Sequence, residues 1–112
     1  MEISFQSAKL QKLCNSQSKL VGKYGPRHAA VIQRRLLDLE AAETLEVMTT
    51  LPGRCHELVG NLAGCLAVDL VHPDRLVFAV ANDPRPVNES GALEWQKVTA
   101  IEVVGIGNYH GS

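Results

Sequence analysis

The chain has 112 residues, of which 46% are hydrophobic and 21% charged, and its net charge is −1. A chain of this length buries one core, so we expect a single domain over residues 1–112, and the composition excludes a disordered protein. No stretch is long and apolar enough to span a bilayer, and the polar start MEISFQSAK lacks the pattern of a signal peptide. We therefore expect a cytoplasmic protein with no membrane partner.

The first half of the sequence predicts one short strand and two helices. EISF is a short apolar strand, and SAKLQKLCNS follows it as a helix. The clearest element is GPRHAAVIQRRLLDLEAAE, whose apolar residues recur at helical spacing after an initial proline. Between these helices NSQSKLVGKYG predicts a loop or a frayed helix end, and after them TLEVMTTLPG predicts a short helical turn.

The second half of the sequence predicts strands. CLAVDLV and RLVFAVA flank a tight turn and form a hairpin. The polar, proline-rich segment NDPRPVNESGALEW is a surface loop that Trp95 is expected to anchor to the core. KVTAIEVVGIG is apolar on both faces, as expected of a central strand. The whole order predicts an α+β fold in which two N-terminal helices pack on one face of a small, mostly antiparallel twisted sheet.

Charge is distributed unevenly along the chain. Residues 1–37 carry a net charge of +6, whereas residues 38–112 carry −7. This asymmetry is typical of a basic face that binds nucleic acid or an acidic partner, and equally of a solvated helix surface. Composition alone leaves both interpretations open.

The three cysteines, Cys14, Cys55 and Cys65, are odd in number and show no CxxC spacing, which indicates reduced thiols rather than disulfides. Cys55 and Cys65 could be combined with His56 and His72 as zinc ligands. However, the adjacent Cys55 and His56 should point to opposite faces of a strand. We therefore expect no metal and no cofactor.

The order of elements, together with LPGRCHEL and the ending NYHG, resembles the RelE/ParE toxin superfamily, in particular its HigB-like killer-protein branch. Relatives typically show an HPL motif followed by Lys-Gly and end in Asp-Tyr-His. The resemblance implies a RelE-like fold and a toxin of a type II toxin–antitoxin system that cuts ribosome-bound mRNA without a metal. It also implies three partners: the ribosome, mRNA and a helix-turn-helix, HigA-like antitoxin.

Carried over by position, His56 matches the histidine of the HPL motif, and Tyr109 and His110 match the terminal pair. The resemblance therefore implies that His56, Tyr109 and His110 are catalytic. The chemistry suits these residue types, because histidine transfers protons near neutral pH and tyrosine stacks on a base or positions a phosphate. Arg54 is expected either to bind RNA beside His56 or to be a rim residue. The residues expected on the helices to bind RNA or an acidic antitoxin are Lys19, Lys23, Arg27, Arg34 and Arg35.

Four departures from the family pattern weaken the expected site. Glu57 and Val59 replace the proline and lysine of the motif, Asn108 replaces an aspartate, and Asp69 falls where an RNA-contacting arginine is common. Loss of two cations should weaken phosphate binding and transition-state stabilisation. Two functions therefore stay open: a weakened mRNA endoribonuclease, and an inactive toxin-fold protein that only binds antitoxin or ribosome. The Tyr-His ending and His56 argue against a gyrase poison of the ParE type.

Overall fold

The computed structural model describes residues 1–109 and shows an α+β fold built on a five-stranded mixed sheet. The α-helices are α1 (Ala8–Cys14), α2 (Gln17–Tyr24) and α3 (Pro26–Ala41). The strands are β1 (Glu2–Phe5), β2 (His56–Glu57), β3 (Cys65–Asp69), β4 (Arg75–Val80) and β5 (Ala100–Gly107). Short 3-10 helices span Leu45–Thr50, Gly60–Leu62 and Trp95–Lys97. Within residues 1–109, no helix combines the length and the apolar character that a membrane span needs.

The strand order across the open sheet is β1-β5-β4-β3-β2. β1 pairs with β5 in parallel, and the other three pairings are antiparallel. The predicted hairpin is confirmed: Cys65 lies opposite Ala79, and Asp69 lies opposite Arg75. The last strand is central as predicted, because β5 has a neighbour on each side.

The segment expected to be a loop or a frayed helix end is instead the separate helix α2, so three helices rather than two precede β2 to β5. The Ser16 side chain accepts a hydrogen bond from the backbone N–H of Lys19 at 3.2 Å, which caps the helix. Leu20 is fully buried and packs into the core. Gly25, with φ +83°, ends α2 and allows α3 to start at Pro26. The cap and one buried leucine are enough to stabilise this short helix because α3 packs against it.

A single apolar cluster joins the helices to the sheet. From α3 it takes the fully buried Ile32 and Leu39, and from the sheet it takes alternate residues such as Leu66, Phe78 and Ile101. The cluster places the helices against one face of the sheet, as predicted. The C-terminal halves of β3 and β5 and the start of β4 meet at one end of the sheet, since Arg75 lies opposite both Asp69 and Gly107.

Candidate functional site

A groove of about 580 Å³ lies between α1, α2 and the end of β5. Its floor is apolar and includes Leu10, Leu13 and Ile106. Around the floor stand four lysines and two tyrosines: Lys9, Lys12, Lys19, Lys23, Tyr24 and Tyr109. None of the described residues that line it carries a carboxylate. We call this feature the lysine groove.

Helical spacing explains how the lysines come together. Lys9 and Lys12 are three residues apart on α1, and Lys19 and Lys23 are four apart on α2, so each pair shares one helix face. Like charges four residues apart destabilise a helix by a few tenths of a kcal/mol. The chain therefore concentrates cations here at a small cost in helix stability, and an anion in the groove would relieve that repulsion.

The two tyrosines add aromatic surface to the lysine groove. The ammonium of Lys23 lies 5.6 Å from the ring centroid of Tyr24, within the range of a cation–π interaction. Burial raises the pKa of Tyr24 above its usual value, and Cys14, Asp74 and Tyr109 raise it further. Tyr24 is therefore a neutral hydroxyl that can donate a hydrogen bond at physiological pH.

Tyr109 follows β5 and folds back along it. Its hydroxyl occupies the space that a Cβ at Gly105 would need, and a ring carbon lies 3.7 Å from the corresponding position at Gly107. The glycines of the terminal strand thus make room for this ring, which lines the lysine groove. The predicted partner His110 lies outside the described residues.

A second charged feature lies where β3 ends and β4 begins, and we call it the arginine cluster: Arg35, Arg54 and Arg75 around Asp69. Arg54 Nε lies 3.0 Å from Asp69 Oδ2, and Arg54 Nη2 lies 3.4 Å from Oδ1. Arg75 Nε lies 3.3 Å from the same Oδ1. Arg35 Nε donates to the backbone carbonyl of Asp69 at 2.9 Å. The cluster therefore holds three guanidinium groups against one carboxylate.

The loop before β2 positions Arg54 in this cluster. Gly53 has φ +110°, and a Cβ there would lie 2.7 Å from Arg35 Nε, so only glycine fits. The next residue, Arg54, also has a positive φ of 48°, and β2 begins only at His56. The alternation in RCHEL predicts a strand with Arg54 and His56 on one face, but the observed strand does not extend to Arg54. The backbone N–H of Asp69 donates to the Gly53 carbonyl at 2.7 Å and ties the loop to β3.

His56 lies on the edge strand β2, opposite Ala67. Its Nδ1 is 2.7 Å from the carbonyl oxygen of Arg54. Because a carbonyl only accepts, Nδ1 carries the proton, and Nε2 of the neutral ring is the nitrogen that can take one. β3 and β4 lie between β2 and β5. The backbone of His56 is therefore about 14 Å, or three inter-strand spacings, from the backbone of β5 against which Tyr109 lies. The structure thus brings His56 close to Arg54 and places Tyr109 in the lysine groove.

The predicted cations on the helices divide among three places. Lys23 lines the lysine groove, and Arg35 belongs to the arginine cluster. Arg34 is exposed and pairs with Asp38 on its own helix, with 3.6 Å between Nε and Oδ1. Arg27 is exposed at the start of α3. Lys9 and Lys12 also line the groove but were not among the predicted RNA-binding residues. The sequence signal for them was their spacing of three residues on α1.

Two of the departures from the family pattern have clear positions. Val59 is 77% exposed, so its side chain adds neither charge nor core packing. Glu57 accepts a hydrogen bond from Trp95 Nε1 at 3.1 Å. Trp95 also packs against the core cluster, which confirms it as the anchor of the preceding loop.

Burial raises the pKa of Cys55 to about 12 and that of Cys14 to about 11, so both are thiols near neutral pH. Among residues 1–109, no three His, Cys, Asp or Glu side chains are grouped closely enough to hold a metal ion.

Comparison with models of known protein families gives no match for this chain, and a search of curated proteins finds no similar sequence.

Proposed function

We propose that this protein is a HigB-like toxin of the RelE/ParE type that binds RNA in the lysine groove and cuts ribosome-bound mRNA. The observation that carries the proposal is the groove itself, in which four lysines and two tyrosines surround an apolar floor. Lysines that neutralise phosphates release condensed counterions, which drives binding to a nucleic acid backbone. Tyrosine rings add a stacking surface that accepts any base. The ribosome and a HigA-like antitoxin are the partners that this proposal implies.

On this proposal the chemistry is attack of a ribose 2′-hydroxyl on the adjacent phosphate. His56 Nε2 takes the proton, because its Nδ1 is committed to the Arg54 carbonyl. Arg54 lies beside His56 and supplies positive charge to the phosphoryl oxygens. Tyr109 positions the RNA from the groove, and the family resemblance adds His110 as a proton donor to the leaving oxygen. The ribosome presents the mRNA to both places.

A second candidate is a toxin-fold protein that binds antitoxin or ribosome without cleaving RNA. The observation that favours it is the pairing of Arg54 with Asp69, which neutralises the cation that the first candidate assigns to the phosphoryl oxygens. Val59, where the family motif has lysine, supplies no replacement. This candidate keeps the binding role of the lysine groove and removes only the chemical step.

Binding is tested by reversing two charges in the groove, Lys12→Glu with Lys23→Glu. The matched control reverses two exposed cations outside the groove, Arg85→Glu with Lys97→Glu, and so changes the net charge equally. Affinity is measured by fluorescence anisotropy with a short 2′-O-methyl RNA, which cannot be cleaved. We expect the groove variant to lose about tenfold or more in affinity for the RNA. The slope of log K against log salt concentration should become shallower by about 0.7 for each phosphate contact that is lost. An equal loss in the control variant would show that only overall charge matters.

Cleavage is tested separately in a cell-free translation reaction in which mRNA ends are mapped. His56→Ala should lower the cleavage rate ~10²–10⁴-fold while leaving affinity for the 2′-O-methyl RNA unchanged. Absence of cleavage by the unmodified protein, with RNA binding intact, would select the binding-only candidate. Cleavage that survives His56→Ala would remove this residue from the mechanism.

A further inference from the structure

The arginine cluster holds its carboxylate in the manner in which arginine holds a phosphate. Arg54 approaches Asp69 with two nitrogens, at 3.0 Å and 3.4 Å from the two carboxylate oxygens. This two-pronged geometry is equally suited to a phosphate group, whose oxygens have similar spacing. Arg75, which lies opposite Asp69 in the β3–β4 hairpin, places its Nε 3.3 Å from Oδ1 of the same carboxylate.

The Asp69 carboxylate leaves a donor N–H and part of the positive charge of the arginine cluster without a matching partner. Arg75 Nε is buried, and although Asp69 Oδ1 lies 3.3 Å away, the N–H has no well-aligned acceptor among the described residues. A buried donor left in this state costs free energy that a better-placed acceptor would recover. Asp69 also offers one negative charge to three guanidinium groups. The site therefore retains both an unsatisfied donor and an excess of positive charge.

The Asp69 side chain can leave without dismantling the local fold. The loop at Gly53 is tied to the backbone N–H of Asp69, and Arg35 is tied to its backbone carbonyl. Neither contact involves the carboxylate. The side chains of Arg54 and Asp69 are 62% and 36% exposed, so an anion in solution can reach them.

We propose that Arg54 and Arg75 form a phosphate-binding site, and that the Asp69 carboxylate occupies it in the free protein as an internal competitor. A phosphate must displace the carboxylate, so Asp69 sets the affinity of the site. This inference rests on the proposed function only for the source of the phosphate, which is then a phosphodiester of bound RNA. The site itself requires no more than the shared chemistry of phosphate oxyanions.

The test follows the Nε–H resonances of individual arginines by NMR during titration with inorganic phosphate. In the unmodified protein the resonances of Arg54 and Arg75 should move, whereas that of Arg34, which pairs with Asp38 on an exposed helix face, should not. Asp69→Asn should tighten phosphate binding about threefold to tenfold, since it releases two arginines from a charged partner. Asp38→Asn removes the same charge from another arginine pair and should leave binding at the cluster unchanged.

Two results would overturn the inference: equal phosphate affinity in the Asp69→Asn and Asp38→Asn variants, or Arg54 and Arg75 resonances that do not respond to phosphate. If Asp69→Asn does not fold, Arg54→Gln in the otherwise unmodified chain serves instead, and the phosphate-induced shift at Arg75 must weaken. A parallel titration with the 2′-O-methyl RNA separates this inference from the proposed function. Tighter phosphate binding without tighter RNA binding would keep the anion site and reject RNA as its ligand.

Discussion

Substitution of Gly105 by alanine tests whether Tyr109 is held against β5 in solution. The backbone of Gly105 is not in the left-handed region, so alanine meets no conformational strain there. The added Cβ would instead overlap the hydroxyl oxygen of Tyr109, and the ring carbon Cζ would lie 3.4 Å away. The conflict therefore comes almost entirely from one oxygen atom. Tyr109→Phe removes that atom and leaves the ring in place.

The expected magnitude follows from two opposing effects. Overpacking by one methyl group costs about 1–3 kcal/mol, whereas alanine in place of glycine in a strand recovers about 0.5–1 kcal/mol of chain entropy. Gly105→Ala should therefore lower the free energy of unfolding by about 1–2 kcal/mol. In the Tyr109→Phe background a contact at 3.4 Å is tolerated, and the same substitution should be neutral or slightly stabilising. The chain-entropy gain is common to both backgrounds, so the coupling between the two sites equals the overpacking cost of about 1–3 kcal/mol.

Urea unfolding followed by the fluorescence of Trp95, the single tryptophan, measures all four variants of this cycle. Tyr109→Phe alone is the control for loss of the hydroxyl. Sites that do not interact give costs that agree within about 0.5 kcal/mol. If Gly105→Ala costs the same with tyrosine and with phenylalanine at position 109, the ring does not rest on β5, and its place in the lysine groove is wrong.

Three further predictions concern stability, thiol chemistry and charge. Gly22→Ala, within α2 where an added Cβ meets no other atom, should raise the free energy of unfolding by about 0.5–1 kcal/mol in urea melts. Gly53→Ala should lower the free energy of unfolding by about 2 kcal/mol or more, because Gly53 has a φ of +110° and an added Cβ would meet Arg35. Equal changes in the two variants would refute this prediction. At pH 8 the buried thiols of Cys14 and Cys55 should resist alkylation by iodoacetamide in the native state. Labelling should rise only as the pH approaches their pKa values of about 11 and about 12. Rapid labelling of either cysteine at pH 8, measured by mass spectrometry, would contradict the burial. Val59→Lys should raise affinity for the 2′-O-methyl RNA severalfold without changing the urea midpoint, since the side chain is 77% exposed; unchanged affinity would place position 59 outside the RNA path.

The sequence predicted those helices and strands whose pattern is complete within one short stretch of residues. The helical period of α3, the turn of the β3–β4 hairpin and the apolar run of β5 each lie within about twenty residues. The helix α2 was missed for the same reason, because its own signal is short. Its cap at Ser16 and its single fully buried residue, Leu20, became sufficient only when α3 packed beside it.

Charge in the sequence predicted a basic N-terminal region but not where its cations meet. Lys12 and Lys23 are on different helices, and their convergence on Tyr109 depends on the parallel pairing of β1 with β5, which brings residues 2–5 beside residues 100–103. Asp69 was expected only as a missing cation, whereas the hairpin register and the left-handed turn at Arg54 make it the centre of an arginine cluster. Residue types and spacing determined which charged and aromatic groups the chain carries and which helix faces they share. Only the tertiary structure decided which groups are neighbours, because contacts between residues distant in the chain depend on packing that no local pattern encodes.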